Sequence, residues 1–333
     1  MQPPTHRTPL ASSASSEPAV DYIITTYNSK KIIGDCLESV QKQTYPHWKC
    51  TVIDDGSTDG TVEYIQKKYP WVHVIANKDN KGPSIRRNEA IEATTNSFIA
   101  ILDSDIVLDS KWTEKQVKFL AQEPYCGIVG SKLVYFDEPQ KLNASAGGLF
   151  SLGIGFDEGR GKLAKIFVNP QRCMYVCSAA LMMKRKMVEK IGMFDSTYFY
   201  GHEDTDLGWR ANIAGYSVWS NPLALARHRV SATMKNYSSR VAYHARKNWI
   251  RSVLKNYQWR NIVWVMPVLL ALLVIDSLLR GPRIAKMKGI VWNLGHLFDT
   301  FSERRKVQAT RAVSDAGLRV WFSRFSVRRL LRN

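Results

Sequence analysis

The chain predicts an α/β fold built on a mainly parallel sheet with helices on both faces. Two observations carry that expectation. From Val20 onward, short β-rich runs alternate with stretches of helical periodicity, the pattern of βαβ units whose right-handed crossovers make neighbouring strands parallel. The strands also end in polar residues, most clearly where Phe98–Leu102 gives way to Asp103-Ser104-Asp105, which places a ligand crevice at the carboxyl edge of the sheet.

The elements follow in order. Val20–Thr25 is β-rich, and Ile32, Ile33, Cys36, Leu37 and Val40 recur at helical spacing, which predicts an amphipathic helix over Ser29–Gln43. Trp48–Ile53 reads as the second strand. It runs into Asp54-Asp55-Gly56-Ser57-Thr58-Asp59-Gly60, a turn whose Asp and Ser side chains suit the start of a helix reaching Tyr69. Val72–Ala76 is the third strand, Pro83–Ala93 a helix with proline in its first turn, and Phe98–Leu102 the fourth strand. Between Asp137 and Arg172 the periodicity fades and glycines accumulate, which reads as an irregular flap or mobile loop on the acceptor side of a site. Met174–Cys177 and Leu181–Met183 return to strand character. Arg185–Ile191 is a short helix stopped by Gly192, and Asp204 opens a helix that ends near Gly215. Val218–Ala226 is strand-like and is closed by His228.

Two acidic groups carry the chemistry. Carboxylates one residue apart at the end of a buried strand are hard oxygen ligands suited to Mg²⁺ or Mn²⁺ and, through it, to a diphosphate. The second group, Glu203-Asp204-x-Asp206, sits in the first turn of a helix, where a carboxylate is expected to be held as the anion and available as a general base. Its surroundings are rich in Tyr198, Phe199, Tyr200, Trp209 and Trp219, so Glu203 and Trp209 are expected on the acceptor side, with aromatic walls facing a sugar. A dinucleotide-dependent oxidoreductase is excluded by the first strand-to-helix turn, Thr25-Thr26-Tyr27-Asn28-Ser29, which has no glycine for the phosphate-binding fingerprint.

Charge is divided unevenly. Residues 228–333 hold 21 Lys and Arg against 4 Asp and Glu, which is +17 of the chain's +18. No nucleic-acid-binding signature accompanies this charge, and the basic residues flank apolar, Trp-rich stretches, so the expected partner is an anionic membrane surface and not nucleic acid. Ile262–Leu279 is apolar apart from Asp276 and contains Pro267, which favours a segment in the membrane interface over a full span. Val320, Trp321, Phe322 and Phe325, set among arginines, are expected to form a second interfacial helix. The Ser/Pro-rich opening is read as a disordered leader, and five scattered cysteines point to reduced thiols in a cytosolic environment. The expected organisation is a leader over 1–18, a catalytic domain over 19–228 and a basic, helical, membrane-associated region over 229–333.

Several of these residues together resemble the successive motifs of glycosyltransferase family 2. They are Thr26-Tyr27-Asn28, Val52 to Thr61 with its Asp54-Asp55-Gly56-Ser57, Asn80-x-Gly82 with Arg87-Asn88, Asp103-Ser104-Asp105, and His202-Glu203-Asp204-x-Asp206-Leu207. Thr25 stands where the family commonly has proline. Ser178–His228 and the basic tail look most like bacterial rhamnosyltransferases of lipid-linked glycan assembly. The resemblance implies a GT-A fold and an inverting transfer from a nucleoside-diphosphate sugar. It further implies that Thr26, Tyr27 and Asn28 hold the donor's base, that Asp54 or Asp55 accepts from the base N–H, that Arg87 meets the diphosphate, and that Asp103 faces the ribose or the metal's waters. Asp105 and His228 would ligate the metal, and Asp204 would be the base. The expected acceptor is a lipid-linked or other cell-surface glycan at the cytoplasmic face of a membrane. The competing expectation is a catalytically silent scaffold that only binds nucleotide-sugars.

Overall fold

The structure, a computed structural model, describes residues 17–230 and 239–323. Strand β1 (Val20–Thr26) leads to α1 (Ile33–Gln41), β2 (Trp48–Asp54), α2 (Thr61–Lys68), β3 (His73–Ala76), α3 (Pro83–Glu92) and β4 (Phe98–Asp103). These strands lie side by side in the order β4-β1-β2-β3, all parallel, as the βαβ alternation requires. Their side chains alternate by face. Tyr22, Ile24 and Val52 enter one core with Cys36 and Leu37 of α1, while Ile23, Ile53, Ile99 and Ile101 enter a second core with Ala90 and Ile91 of α3.

The second half of the sheet is antiparallel in part. After β5 (Ile106–Leu108) and α4 (Trp112–Gln122) come β6 (Cys126–Tyr135), β7 (Leu142–Ala144), β8 (Ala146–Phe150), β9 (Gly155–Glu158) and β10 (Gln171–Cys173). Then follow β11 (Ala180–Lys184), α5 (Arg185–Ile191), α6 (Glu203–Ile213) and β12 (Ser217–His228). Strand β11 inserts antiparallel between β4 and β6, and β12 runs parallel to β6 on its other side. The segment expected to be irregular, 137–172, is partly paired: β7 joins β6, and β8 and β9 start a second sheet. Its glycines hide the strands from periodicity because aromatic side chains take the space a Cβ would need, as Tyr175 does at Gly147 and Phe156 at Gly148. Met174–Cys177, expected as strand, makes only an isolated bridge through Tyr175.

The C-terminal part is helical: α7 (Ser239–Asn256), α8 (Trp259–Leu279), α9 (Arg283–Gly295) and α10 (Leu297–Ala309). It shares a third core with the catalytic half, where Trp209 and Ile213 of α6 meet Ile250 and Val253 of α7 and Val265 and Leu269 of α8. Of the interfacial helix expected around Val320–Phe325, only the residues up to Ser323 are described, and these are not α-helical. Arg319–Trp321 is one 3₁₀ turn, and β13 (Phe322–Ser323) pairs with β8, which draws Phe322 onto Trp209 and Tyr257. Phe325 and the arginines after it lie outside the described residues, as do positions 1–16 of the expected leader.

Candidate active site

Strands β2 and β3 lie on one side of β1 and β4 on the other, so the sheet order reverses between β1 and β4, where open α/β sheets bind ligands. The register sets Thr25 beside Asp103 and Thr26 beside Asp54 at that edge. A cavity of about 550 Å³ opens there, lined among others by Thr26, Tyr27, Asp55, Arg87, Asp103, Asp105, Arg160, His202, Glu203, Asp204 and His228. It is large enough for a sugar nucleotide. Four polar atoms on its lining, Thr26 Oγ1, Arg87 Nε, His202 Nε2 and Glu203 Oε2, are buried without a hydrogen-bond partner. Groups left this way mark a place where a ligand completes the bonding.

The two neighbouring aspartates after β2 are held differently. Asp55 is clamped, accepting from Lys81 N and Gly82 N at 2.8 and 2.9 Å and from Arg86 Nε at 2.7 Å. Asp54, expected as an alternative to it, does not line the cavity. Its carboxylate turns back on its own loop, accepting from Gly56 N and Ser57 N at 3.1 and 2.8 Å and from the Ser57 hydroxyl. Asn28 is likewise used within the loops, in the left-handed conformation, with its side chain accepting from Thr58 N and its own N–H bound to Ser57 Oγ. Tyr27 stays half exposed on the cavity rim, where an aromatic face is free to stack on a base.

Arg86 and Arg87 are both buried. Arg86, which belongs to no motif read from the sequence, ties Asp55, Asp79 and Glu89 together. Arg87, expected to meet the diphosphate directly, is 2% exposed and already balanced by Asp103 at 2.8 Å and Glu203 at 3.3 Å, with Ser178 Oγ at 3.0 Å. It therefore joins the two acidic motifs across the cavity. The same pairing engages Asp103 Oδ1, while Asp103 still lines the cavity.

Asp105 lies two residues beyond β4, and the antiparallel pairing of β5 with β12 places Ile106 opposite His228. The His228 Nε2 atom is consequently 3.4 Å from Asp105 Oδ1. Its other ring nitrogen, Nδ1, is 2.9 Å from Asn143 Oδ1, which fixes the ring and leaves Nε2 directed toward Asp105. A carboxylate oxygen and an imidazole nitrogen side by side fit a divalent ion that takes its remaining ligands from phosphate and water. No group of three protein ligands occurs among the described residues, so such an ion would depend on the nucleotide.

Asp204 stands in the first turn of α6 at the cavity wall, with Oδ1 accepting from Thr205 N at 2.6 Å. The sequence placed it as an anion stabilised by the helix. Instead, burial, then the neighbouring charges of Glu203 and Asp157, push its carboxyl up to about 7, outweighing the Thr205 N–H and Arg87. A carboxylate at that value is a far better proton acceptor than an ordinary aspartate. Trp209, expected on the acceptor side, is fully buried in the third core against Tyr257 and is absent from the cavity.

One lining residue, Arg160, carried no readable signal. Arg160 stands between Gly159 and Gly161, both at positive φ, and is held by Asp157. His202 adopts a left-handed φ of 73° just before α6. The turn is held from α7, where Asn248 Nδ2 donates to Tyr200 O at 3.1 Å and Gly201 O at 2.7 Å. Replacing Asn248 with Leu keeps the volume and removes both donors, so transfer is expected to fall about tenfold or more while donor binding changes little. The check is a kcat loss without a matching change in donor Kd. Equal losses in both would mean that Asn248 serves only folding.

A model of the glycosyl transferase family 2 matches residues 21–192, just over half the chain, which includes Tyr27, Asp55, Arg87, Asp103 and Asp105 of this site and stops short of Asp204 and His228. The chain belongs to glycosyl transferase family 2. TuaG of Bacillus subtilis, whose name assigns it provisionally to teichuronic acid biosynthesis, is 36% identical over 109 residues, 32% of this chain and 43% of the relative. The glycosyltransferase AglE of Haloferax volcanii is 28% identical over 211 residues, 61% of this chain and 64% of the relative. The chain thus spans less than two thirds of each of these relatives. Among solved structures, the Pyrobaculum calidifontis mannosyltransferase PcManGT, in complex with GDP-Man and Mn²⁺, aligns over 92% of this chain and 88% of its own, at 18% identity and a TM-score of 0.53. That likeness bears on the fold, which is GT-A-like.

Proposed function

We propose that this chain is an inverting glycosyltransferase that moves a sugar, with rhamnose the expected one, from a nucleoside-diphosphate donor to a lipid-linked glycan acceptor. The observation that carries this reading is the convergence of a hard two-ligand pair, Asp105 and His228, and a proton acceptor, Asp204, on one cavity with orphaned polar atoms. Tyr27 and Asp55 suit the base end of the donor, and Glu203 Oε2, buried and unpartnered, suits a sugar hydroxyl. Asp204 takes the proton of the acceptor hydroxyl as that oxygen attacks the anomeric carbon from the side opposite the departing nucleoside diphosphate, which inverts the centre. Arg87 holds Asp103 and Glu203 in place during this step and keeps the acidic wall from repelling the donor. A divalent ion bound at Asp105 and His228 supplies neutralisation of the diphosphate charge. The membrane-associated region would be 229–333, behind a catalytic domain over 19–228 and a leader over 1–18.

The test is thermal stabilisation by a panel of nucleotide-sugars with Mn²⁺ or Mg²⁺, followed by transfer assays with the donor that binds. At a hundredfold excess over Kd, binding adds about 2.7 kcal/mol to stability, a shift easily seen in melting. Asp105→Ala is expected to remove the metal dependence of that shift. Equal stabilisation of the parent protein with Mn²⁺ and with chelator would rule out the metal role.

A further inference from the structure

The exposed apolar surface of this protein is concentrated on one element pair outside the cavity. Helix α8 is 21 residues long, and its most apolar 18-residue stretch has mean hydropathy 2.5, yet only 28% of that stretch is buried. Its packing is sided. Ile262, Val265, Leu269 and Leu273 enter the third core. On the other side Val263 and Leu278 are 73% and 59% exposed. Helix α9 continues this pattern, with Ile284 and Leu294 exposed. Both helices lie against α7 and against each other.

We infer that this outward face of α8 and α9 is a docking surface for an anionic phospholipid leaflet, entered in-plane and not spanned. Three features select this occupant. Arg260 at one end of α8, and Arg280 and Arg283 at the other, are exposed, so both ends of the apolar stretch present cations at the level where anionic headgroups lie. A spanning helix would place those ends in opposite leaflets. The acid within the stretch, Asp276, is neutralised by Lys286 at 2.8 Å and by Arg246, so no free negative charge faces the lipid from it. Finally, the inner face of α8 is core, shared with Ile250, Val253 and Leu254 of α7; crossing a bilayer would strip that contact. The inference gives the lipid-linked acceptor of the proposed function a reason to be within reach, but its evidence is independent of the chemistry.

The test is flotation of the full chain with phosphatidylglycerol and phosphatidylcholine vesicles, for the parent protein and the Val263→Glu/Leu278→Glu double variant. Both positions are solvent-exposed, so the variant is expected to melt within a degree or two of the parent. Its vesicle-bound fraction is expected to fall about tenfold or more. The parent is expected to bind phosphatidylglycerol in preference to phosphatidylcholine, and less at high salt. Unchanged flotation of the variant overturns the inference. So does a parent protein that is dimeric without lipid and becomes monomeric with the two glutamates, since the face would then belong to a second copy of this chain. Neither outcome depends on transfer, so an inactive enzyme that still floats defeats only the proposed chemistry.

Discussion

Asp204→Asn is expected to lower transfer by about 10²–10⁴-fold while leaving donor affinity within a few-fold. The amide keeps the shape and still accepts from Thr205 N, so the start of α6 is undisturbed. What it loses is the ability to take a proton. The pH profile gives an independent reading. The Asp204 carboxyl is pushed up to about 7 by burial and by Glu203 and Asp157, and only its deprotonated form is a base. The rate is therefore expected to rise with pH through about 7 and to level off above it. Asp157→Asn removes one of the charges that raise this value, so the rising limb should move to lower pH. A flat profile from pH 5 to 9 with full activity in Asp204→Asn would remove Asp204 from the chemistry.

The parallel half of the sheet was legible because each strand there is one apolar run bounded by a helix, so that alternation alone orders β1 to β4. The antiparallel half was not, since β7 to β10 are three to five residues long, β8 and β9 carry glycines, and pairing at a distance decides them. The site shows the same divide. Motif order brings Asp105, His228 and Asp204 to one cavity. Side-chain direction within a motif is a different matter. Asp54 and Asp55 are neighbours, and one turns into its loop while the other reaches the cavity. Trp209 follows Asp204 by five positions, about 140° around the helix at 100° per residue, which puts it on the opposite face. That rotation was available from the sequence; aromatic content alone was the misleading signal. The buried role of Arg86 was not available, because its partners come from three separate segments.

The same helical rotation turns Asp206 away from the cavity and into an ion cluster that fastens the base-bearing helix to α7. Lys255 Nζ sits 2.7 Å from Asp195 Oδ2 and 2.9 Å from Asp206 Oδ2, and Arg251 and Arg210 complete the pairing of the two acids. Lys255, Asp195 and Asp206 are all almost wholly removed from solvent. Burial alone would raise both carboxyls, but Lys255 and Arg251 hold Asp195, and Lys255 and Arg210 hold Asp206, below the ordinary carboxylate range. A carboxyl depressed in the folded state contributes stability that is fully present above its unfolded value near 3.9 and is lost as pH falls through the lower folded value. The cluster is thus expected to support the fold throughout neutral pH and to fail only in strong acid. Lys255→Ala leaves two buried carboxylates short of a cation, which costs about 3–5 kcal/mol and lowers the melting temperature by on the order of ten degrees. Adding Asp195→Asn to Lys255→Ala should recover part of the loss, because one of the stranded charges is then gone. Additive losses in that double variant would show that Lys255 contributes through packing and not through charge. Because Asp206 lies two residues from Asp204 on α6, the single variant is also expected to lose kcat more than donor affinity at temperatures where it remains folded.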